Sequence, residues 1–265
     1  MARALGTSTW LDLGSTDLAA AKEFYTGLFG WHFDDAGEEF GHYNMVYSGE
    51  TLVGGAMDVA GMTCPAGDPL PSSWGVYLAV DDVDARVATA VEHGATVVVE
   101  PGDAGDAGRF AVILDPTGAA IGLWGAGTID GYEFTGNPGS PVWFEDMSLE
   151  FDRSSEFYTK VFGANLVPMG EPMEGDSFRY ATNGAPDSAT WGLCDAAGFM
   201  PADAAGWRIY FGVEASEAAI ARVQELGGKV LDGPTDSPFG RIATIADPTG
   251  ATFQISAMSE AVPES

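Results

Sequence analysis

The amino-acid sequence predicts an α+β protein made of four tandem βαβββ modules, paired so that they form two open β-barrel domains. Three observations carry this. The chain repeats itself, each copy runs twice through the same succession of one strand, one helix and three strands, and each copy closes on the same turn. "DPTGAAIGLW" at 115–124 returns as "DPTGATFQIS" at 247–256. Trp10 aligns with Trp143, Phe24-Tyr25-Thr26 with Phe157-Tyr158-Thr159, Phe29-Gly30 with Phe162-Gly163, Trp74 with Trp207 and Gly94 with Gly227. One register holds through most of each half, which is the mark of a duplicated unit.

The elements follow in order. "STWLDLG" alternates and reads as a strand, and "STDLAAAKEFYTGLFG" then carries cap residues ahead of Leu18, Ala21, Phe24, Tyr25, Leu28 and Phe29 at helical spacing. Gly30 ends that helix. Strands are expected at 31–34, 42–48 and 51–59, after which the pattern restarts with a strand at 74–80, a helix at 81–94 and strands near 96–99, 110–114 and 119–124. In Asp-Pro-x-Gly the proline presets φ and the glycine takes the position that wants a small or left-handed residue, so the motif joins the last two strands as a hairpin. The stretch 127–141, rich in Gly, Pro and Thr, separates the halves. The domains are therefore placed at 1–130 and 142–258, with a linker at 131–141 and a tail at 259–265.

Composition sets the remaining bounds. With 265 residues, 46% of them hydrophobic and 11% aromatic, the chain can fill two ordinary cores. Eleven Lys and Arg stand against 39 Asp and Glu, and the net charge of −28 repels phosphate backbones and anionic lipid, so neither nucleic acid nor membrane is expected as a partner. The carboxylates are scattered, which reads as a solvated surface. Cys64 and Cys194 occupy unmatched places in the two copies and are expected as free thiols. No apolar run reaches the length of a signal peptide or the ~20 residues of a membrane span, so a cytoplasmic location is expected.

Four such modules, a helix carrying "FYTGLFGW" or "FYTKVFGA" and a closing "DPTGA" strand resemble the vicinal oxygen chelate superfamily: glyoxalase I, bleomycin-resistance proteins, extradiol dioxygenases and fosfomycin-resistance enzymes. The chain looks most similar to the two-domain actinobacterial members described as glyoxalase-like or "hydroxylase". The resemblance implies that paired modules curl into an open barrel holding a small-molecule ligand or substrate. In metal-dependent members the ligands come from the first strand, the first strand of the second module and the last strand. Those positions fall on Trp10, Gly75 and Gly122 in the first half and on Trp143, Arg208 and Gln254 in the second. Indole nitrogen only donates, glycine has no side chain and arginine brings positive charge, so no metal and no other cofactor is expected.

Period two along each strand gives the neighbours on the same face. In the first half these are Trp10 with Asp12, Gly75 with Tyr77, and Gly122 with Trp124, and Met45, Tyr43, Met57 and Tyr47 line the same region. In the second half they are Trp143 with Glu145, Arg208 with Tyr210, and Gln254 with Ser256. Trp10, Tyr77, Trp124, Met45, Trp143, Arg208, Tyr210 and Gln254 are accordingly the candidate ligand-binding residues. The rival for the tryptophans is a filled core. Asp12 and Glu145 are the candidate acid/base residues, because a carboxylate in an apolar barrel resists ionisation. An ion pair with Arg208 is the structural alternative for Glu145. His93 reads as a helix cap, and Arg109 and Arg241 as structural bridges.

Two functions are open. One is metal-independent binding of an aromatic or hydrophobic small molecule in the Trp-lined first barrel. The other is metal-free catalysis in secondary metabolism, as a lyase, isomerase or hydroxylase-like enzyme using Asp12 or Glu145; a metal-dependent glyoxalase or dioxygenase ranks below both. Each chain carries four modules, so monomer and homodimer are both compatible with the sequence.

Overall fold

The structure, a computed structural model, describes residues 3–64, 67–169 and 179–262. Of the tail expected at 259–265, residues 263–265 lie outside the described part. The first module runs β1 (Ser8–Ser15), α1 (Leu18–Phe29), β2 (Trp31–Asp35), β3 (Asn44–Ser48) and β4 (Thr51–Asp58). The second runs β5 (Ser73–Ala79), α2 (Val83–Glu92), β6 (Thr96–Asp103), β7 (Gly108–Leu114) and β8 (Ala120–Ala126). In the third come β9 (Pro141–Ser148), α3 (Phe151–Phe162), β10 (Val167–Pro168), β11 (Tyr180–Thr182) and β12 (Gly192–Asp195). The fourth comprises β13 (Gly206–Gly212), α4 (Ser216–Glu225), β14 (Lys229–Ser237), β15 (Gly240–Ala246) and β16 (Thr252–Ala257). The α+β class and the four βαβββ modules stand as the sequence predicts. Some boundaries move: the strand expected near 96–99 runs on to Asp103, the one near 110–114 starts at Gly108, and β3 starts at Asn44 rather than at 42, because Gly41 and His42 turn through the left-handed region with φ of 60° and 59°.

Two eight-stranded sheets result, neither of them a closed barrel, with strand orders β2-β3-β4-β1-β5-β8-β7-β6 and β10-β11-β12-β9-β13-β16-β15-β14. By contact the chain divides into two compact units. The first unit comprises Met1–Trp10, Gly75–Gly131 and Phe144–Arg208, that is, mainly the second and third modules. The second comprises Leu11–Trp74, Tyr132–Trp143 and Ile209–Ser265, mainly the first and fourth.

Local chemistry sets the helix ends. The Asp17 carboxylate accepts from the Ala20 N–H at 3.0 Å to start α1, and Gly30 ends it in the left-handed conformation, where a side chain would be strained. Asp82 caps α2 in the same way through the Ala85 N–H, and His93 is its C-terminal cap residue, as expected.

Each unit is held by one aromatic cluster and one polar relay. In the second unit Phe24, Tyr25 and Phe29 of α1 pack on Trp31, Trp74, Phe211 and Phe253, with ring centroids 4.8 to 6.3 Å apart. Within that apolar cluster, Trp74 Nε1–H donates to Tyr25 Oη at 2.9 Å and Tyr25 Oη–H donates to Asp247 Oδ2 at 3.1 Å. Asp247 Oδ1 meanwhile accepts from Thr249 N, Thr249 Oγ1 and Ala251 N, which folds the "DPTG" turn. The first unit repeats the device: Trp207 donates to Tyr158 at 2.8 Å, Tyr158 donates to Asp115 at 3.0 Å, and Asp115 holds Thr117 and Ala119. The two signature motifs are thus bonded to each other, the "FY" helix of one module to the "DPTG" turn of another.

Candidate functional site

Alternation along each strand separates the helix side from the face that bears the candidate residues. On β1, Leu11, Leu13 and Ser15 are fully buried on the helix side, while Asp12 on the other face is partly exposed. On β16, Phe253 and Ile255 join the helix side, and Gln254 and Ser256 take the opposite face. Strand pairing extends each candidate into a cross-strand row. Asp12 stands opposite Gly55 and Gly55 opposite Met45. Glu145 stands opposite Gly192 and Gly192 opposite Thr182. The row in the second module is apolar, Tyr77, Gly122, Val112 and Val99, whereas in the fourth it is polar, Tyr210, Gln254, Thr244 and Asp232.

Glycine recurs in these rows for a steric reason. A Cβ at Gly122 would collide with the ring of Tyr77, one at Gly55 with the ring and hydroxyl of Tyr43, and one at Gly192 with those of Tyr180. In three modules, therefore, a tyrosine lies across a glycine on the sheet face. The fourth module breaks the pattern, because Tyr210 there faces Gln254, a full side chain.

In the first unit Trp10 and Trp124 stack on each other, with centroids 6.0 Å apart and an interplanar angle of 19°. They are 5% and 7% exposed, and Trp124 Nε1 donates to the Ile129 carbonyl at 3.0 Å. Tyr77 is buried as well, and its ring occupies the space over Gly122. The room expected from the missing Gly122 side chain is filled by Tyr77. Glu145, Arg208 and Tyr180 lie in the same unit, around Cys194, whose thiol is pushed up to about 12 by burial and then by Glu145 and Asp195. Arg208 directs Nη2 to Met200 Sδ and the Ala204 carbonyl, both at 3.3 Å.

In the second unit Asp12, Met45, Trp143, Tyr210 and Gln254 are found, with Asp12, Met45, Trp143 and Tyr210 partly exposed. Gln254 is 3% exposed, and its Oε1 accepts from Thr244 Oγ1 at 2.8 Å. Ser256, 5% exposed, stands where the repeat has Trp124 in the first half.

The remaining candidates fall outside both arrangements. His42 is exposed and pairs with Asp35 at 2.9 Å, and His32 stacks on Tyr47. Arg109 bridges Asp84 and Asp103, and Arg241 bridges Glu217 and Asp236, the structural role their recurrence predicts. Asp146, which the sequence reading passed over, is fully buried on the helix side of β9 with neither carboxylate oxygen hydrogen-bonded. Burial, and after it the charges of Asp115 and Glu145, raise its carboxyl well above the ordinary carboxylate range. The repeat held the signal, since Asp146 takes the place of Leu13.

A model of the Glyoxalase/Bleomycin resistance protein/Dioxygenase superfamily matches residues 8–123 and 150–255. The chain belongs to this superfamily. Among its relatives is the "putative glyoxylase CFP32" of Mycobacterium tuberculosis, 39% identical over 252 residues that cover 94% of each chain. The "anthracycline biosynthesis protein DnrV" of Streptomyces peucetius is 33% identical and covers 97% of this chain and 95% of its own. Two solved structures share the fold at 15% identity. The Mn(II)-bound glyoxalase from Novosphingobium aromaticivorans has a TM-score of 0.62 over 97% of this chain and 84% of that one. The 2,3-dioxygenase LapB from Pseudomonas sp. KL28 has a TM-score of 0.64 over 96% and 93%.

Metal-dependent members of the superfamily need oxygen or nitrogen donors at the three positions carried over above, and the residues here do not fit. Trp10 is stacked, Gly122 lies under a tyrosine ring, Arg208 is cationic and Gln254 is a neutral amide. Among the described residues no group of three His, Cys, Asp or Glu side chains is placed to hold a metal ion.

Proposed function

We propose that the protein is a metal-independent member of the superfamily that binds an aromatic or hydrophobic small molecule by stacking it on tryptophan, and that the binding face is that of the second half. The observation that carries this is the contrast between the two repeats. Trp10 is 5% exposed and stacked on Trp124, whereas Trp143, at the equivalent place, is partly exposed and the position of Trp124 is taken by Ser256. A partly exposed indole beside a small residue gives a flat ligand a surface to reach, while Trp10 and Trp124 are both buried against each other. Relatives named for anthracycline biosynthesis support a ligand drawn from secondary metabolism.

Equilibrium dialysis with fluorene, a planar hydrocarbon, tests the reading. Trp143→Ala is expected to weaken fluorene binding by about 10-fold, the range of a lost aromatic stack. Trp124→Ala leaves the second-half face intact and is expected to change it little. Dialysis against a chelator beforehand is expected to leave the affinity unaltered. Binding that survives Trp143→Ala, or that disappears with the chelator, contradicts the proposal.

A further inference from the structure

We infer that Arg208 anchors a second binding site, within the first compact unit, that takes the carboxylate of a small apolar organic acid. This site is separate from the tryptophan face proposed above and does not rest on it.

With 39 Asp and Glu against 11 Lys and Arg, a cation in this chain has carboxylates to spare. Arg86, Arg109, Arg153, Arg179, Arg222 and Arg241 each bond to at least one, at 2.6 to 3.4 Å. Among the described residues Arg208 enters no ion pair. Its side-chain hydrogen bonds run from Nη2 to Met200 Sδ and to the Ala204 carbonyl, both at 3.3 Å, and neither acceptor carries charge. A partly buried guanidinium on neutral contacts keeps its attraction for an anion. The thioether is a weak acceptor, whereas a bond from guanidinium to carboxylate is about twice as strong as one between neutral groups, so a carboxylate displaces Met200 Sδ with a net gain.

The fold fixes where this charge stands. Trp207 is bonded to Tyr158 on the helix side and Ile209 is 1% exposed, so period two turns Arg208, between them on β13, to the opposite face. There Met200, the residue that Arg208 touches, packs with Leu149 and Tyr180 against Met147, Cys194 and Ala196, the last three no more than 5% exposed. An apolar flank keeps water from one side of the guanidinium and strengthens its hold on an oxyanion, and methionine adapts its shape to the hydrocarbon part of a ligand. The size of the anion's charge is limited by the chain. A net charge of −28 repels a polyanion at every one of its charges, but a single carboxylate meets that field once, screened over about 8 Å at physiological ionic strength. Two carboxylates lie nearby, since Asp195 and Glu145 act with Arg208 on the Cys194 thiol. Asp195 is bonded to Arg179 at 2.8 Å, and the charge of Glu145 opposes that of the ligand. The first half has no counterpart, because Gly75 and Gly14 stand at the places of Arg208 and Met147.

The experiment titrates the full chain at pH 7 with benzoate and with benzamide, its neutral counterpart of the same shape, and follows the ligand by NMR. Wild type is expected to bind benzoate at least about 10-fold more tightly, the value of a charge-assisted hydrogen bond over a neutral one. Arg208→Gln keeps a donor but not the charge. It is expected to weaken benzoate by about 10-fold or more while leaving benzamide as in wild type, with the melting temperature confirming the fold. Glu145→Gln removes the opposing charge and is expected to tighten benzoate, and Met200→Leu, which removes the competing thioether, is expected to keep or raise its affinity. Trp143→Ala is expected to leave benzoate unchanged, because the site is separate from the tryptophan face. Equal binding of the two probes by wild type overturns the proposal whatever the variants do, as does undiminished benzoate binding in a folded Arg208→Gln variant. Benzoate binding that is lost in Trp143→Ala, or that fluorene competes away, places the carboxylate at the tryptophan face and removes the separate site. Failure of fluorene to bind with benzoate selectivity intact overturns the tryptophan face alone.

Discussion

Asp146 illustrates what a single residue does when its environment is fixed by a duplicated framework. It sits where the first half has Leu13, whose side chain is fully buried, and it meets no hydrogen-bond donor there. A buried carboxyl without partners costs on the order of 1–3 kcal/mol relative to a well-packed apolar side chain. Burial, followed by the charges of Asp115 and Glu145, raises its affinity for the proton in the folded state. The folded state therefore binds the proton more tightly than the unfolded chain, for which the ordinary value is 3.8. Stability from this site is greatest below that value and falls as pH rises toward the folded-state value. Asp146→Leu is expected to raise the urea midpoint, with a larger gain at pH 8 than at pH 5. A gain independent of pH would contradict the linkage, and a loss would show that the carboxyl has a stabilising partner.

The elements were the most legible part of the sequence, and the reason is locality. Helical spacing, the Asp17 and Gly30 caps and the hairpin turn all express interactions within a few residues, so α1, α2 and the closing hairpins fall where the pattern sets them. The second task of "DPTG" was not legible, because it depends on a tyrosine 222 residues away in one unit and 43 in the other. Periodicity carries no record of such pairings. Both relays place a tyrosine hydroxyl between a donor and an acceptor in a buried site, where burial, and then the nearby aspartates, raise its pKa well above 10.0. Tyr25→Phe leaves Trp74 Nε1 without its acceptor and Asp247 Oδ2 without that donor, and Tyr158→Phe does the same to Trp207 and Asp115. Each substitution is expected to destabilise by about 1–3 kcal/mol in urea unfolding, since removing one partner strands the others. A loss below about 0.5 kcal/mol in both would show that the relays are incidental to the packing.

Across the whole molecule, duplication supplies an internal control on the proposed function, because the halves share a framework and differ at the candidate face. The residue types at that face were readable from the repeat alone: Gly122 against Gln254, Trp124 against Ser256. That Trp10 is covered by Trp124 and that Tyr77 lies over Gly122 was not, because both depend on side-chain placement. The same logic permits conversion of one half into the other. Ser256→Trp restores at the second-half face the indole that Trp124 provides in the first, where the stacked pair is separated by 6.0 Å. It is expected to lower the affinity for fluorene by at least about 10-fold, the scale of one lost aromatic platform, while keeping or raising the melting temperature, because the inserted ring fills space with apolar contacts. Undiminished binding in a folded Ser256→Trp variant would place the ligand elsewhere. Lost binding with a lowered melting temperature would mean that the second half cannot accept the packing of the first, and that the two repeats have diverged in backbone as well as in side chains.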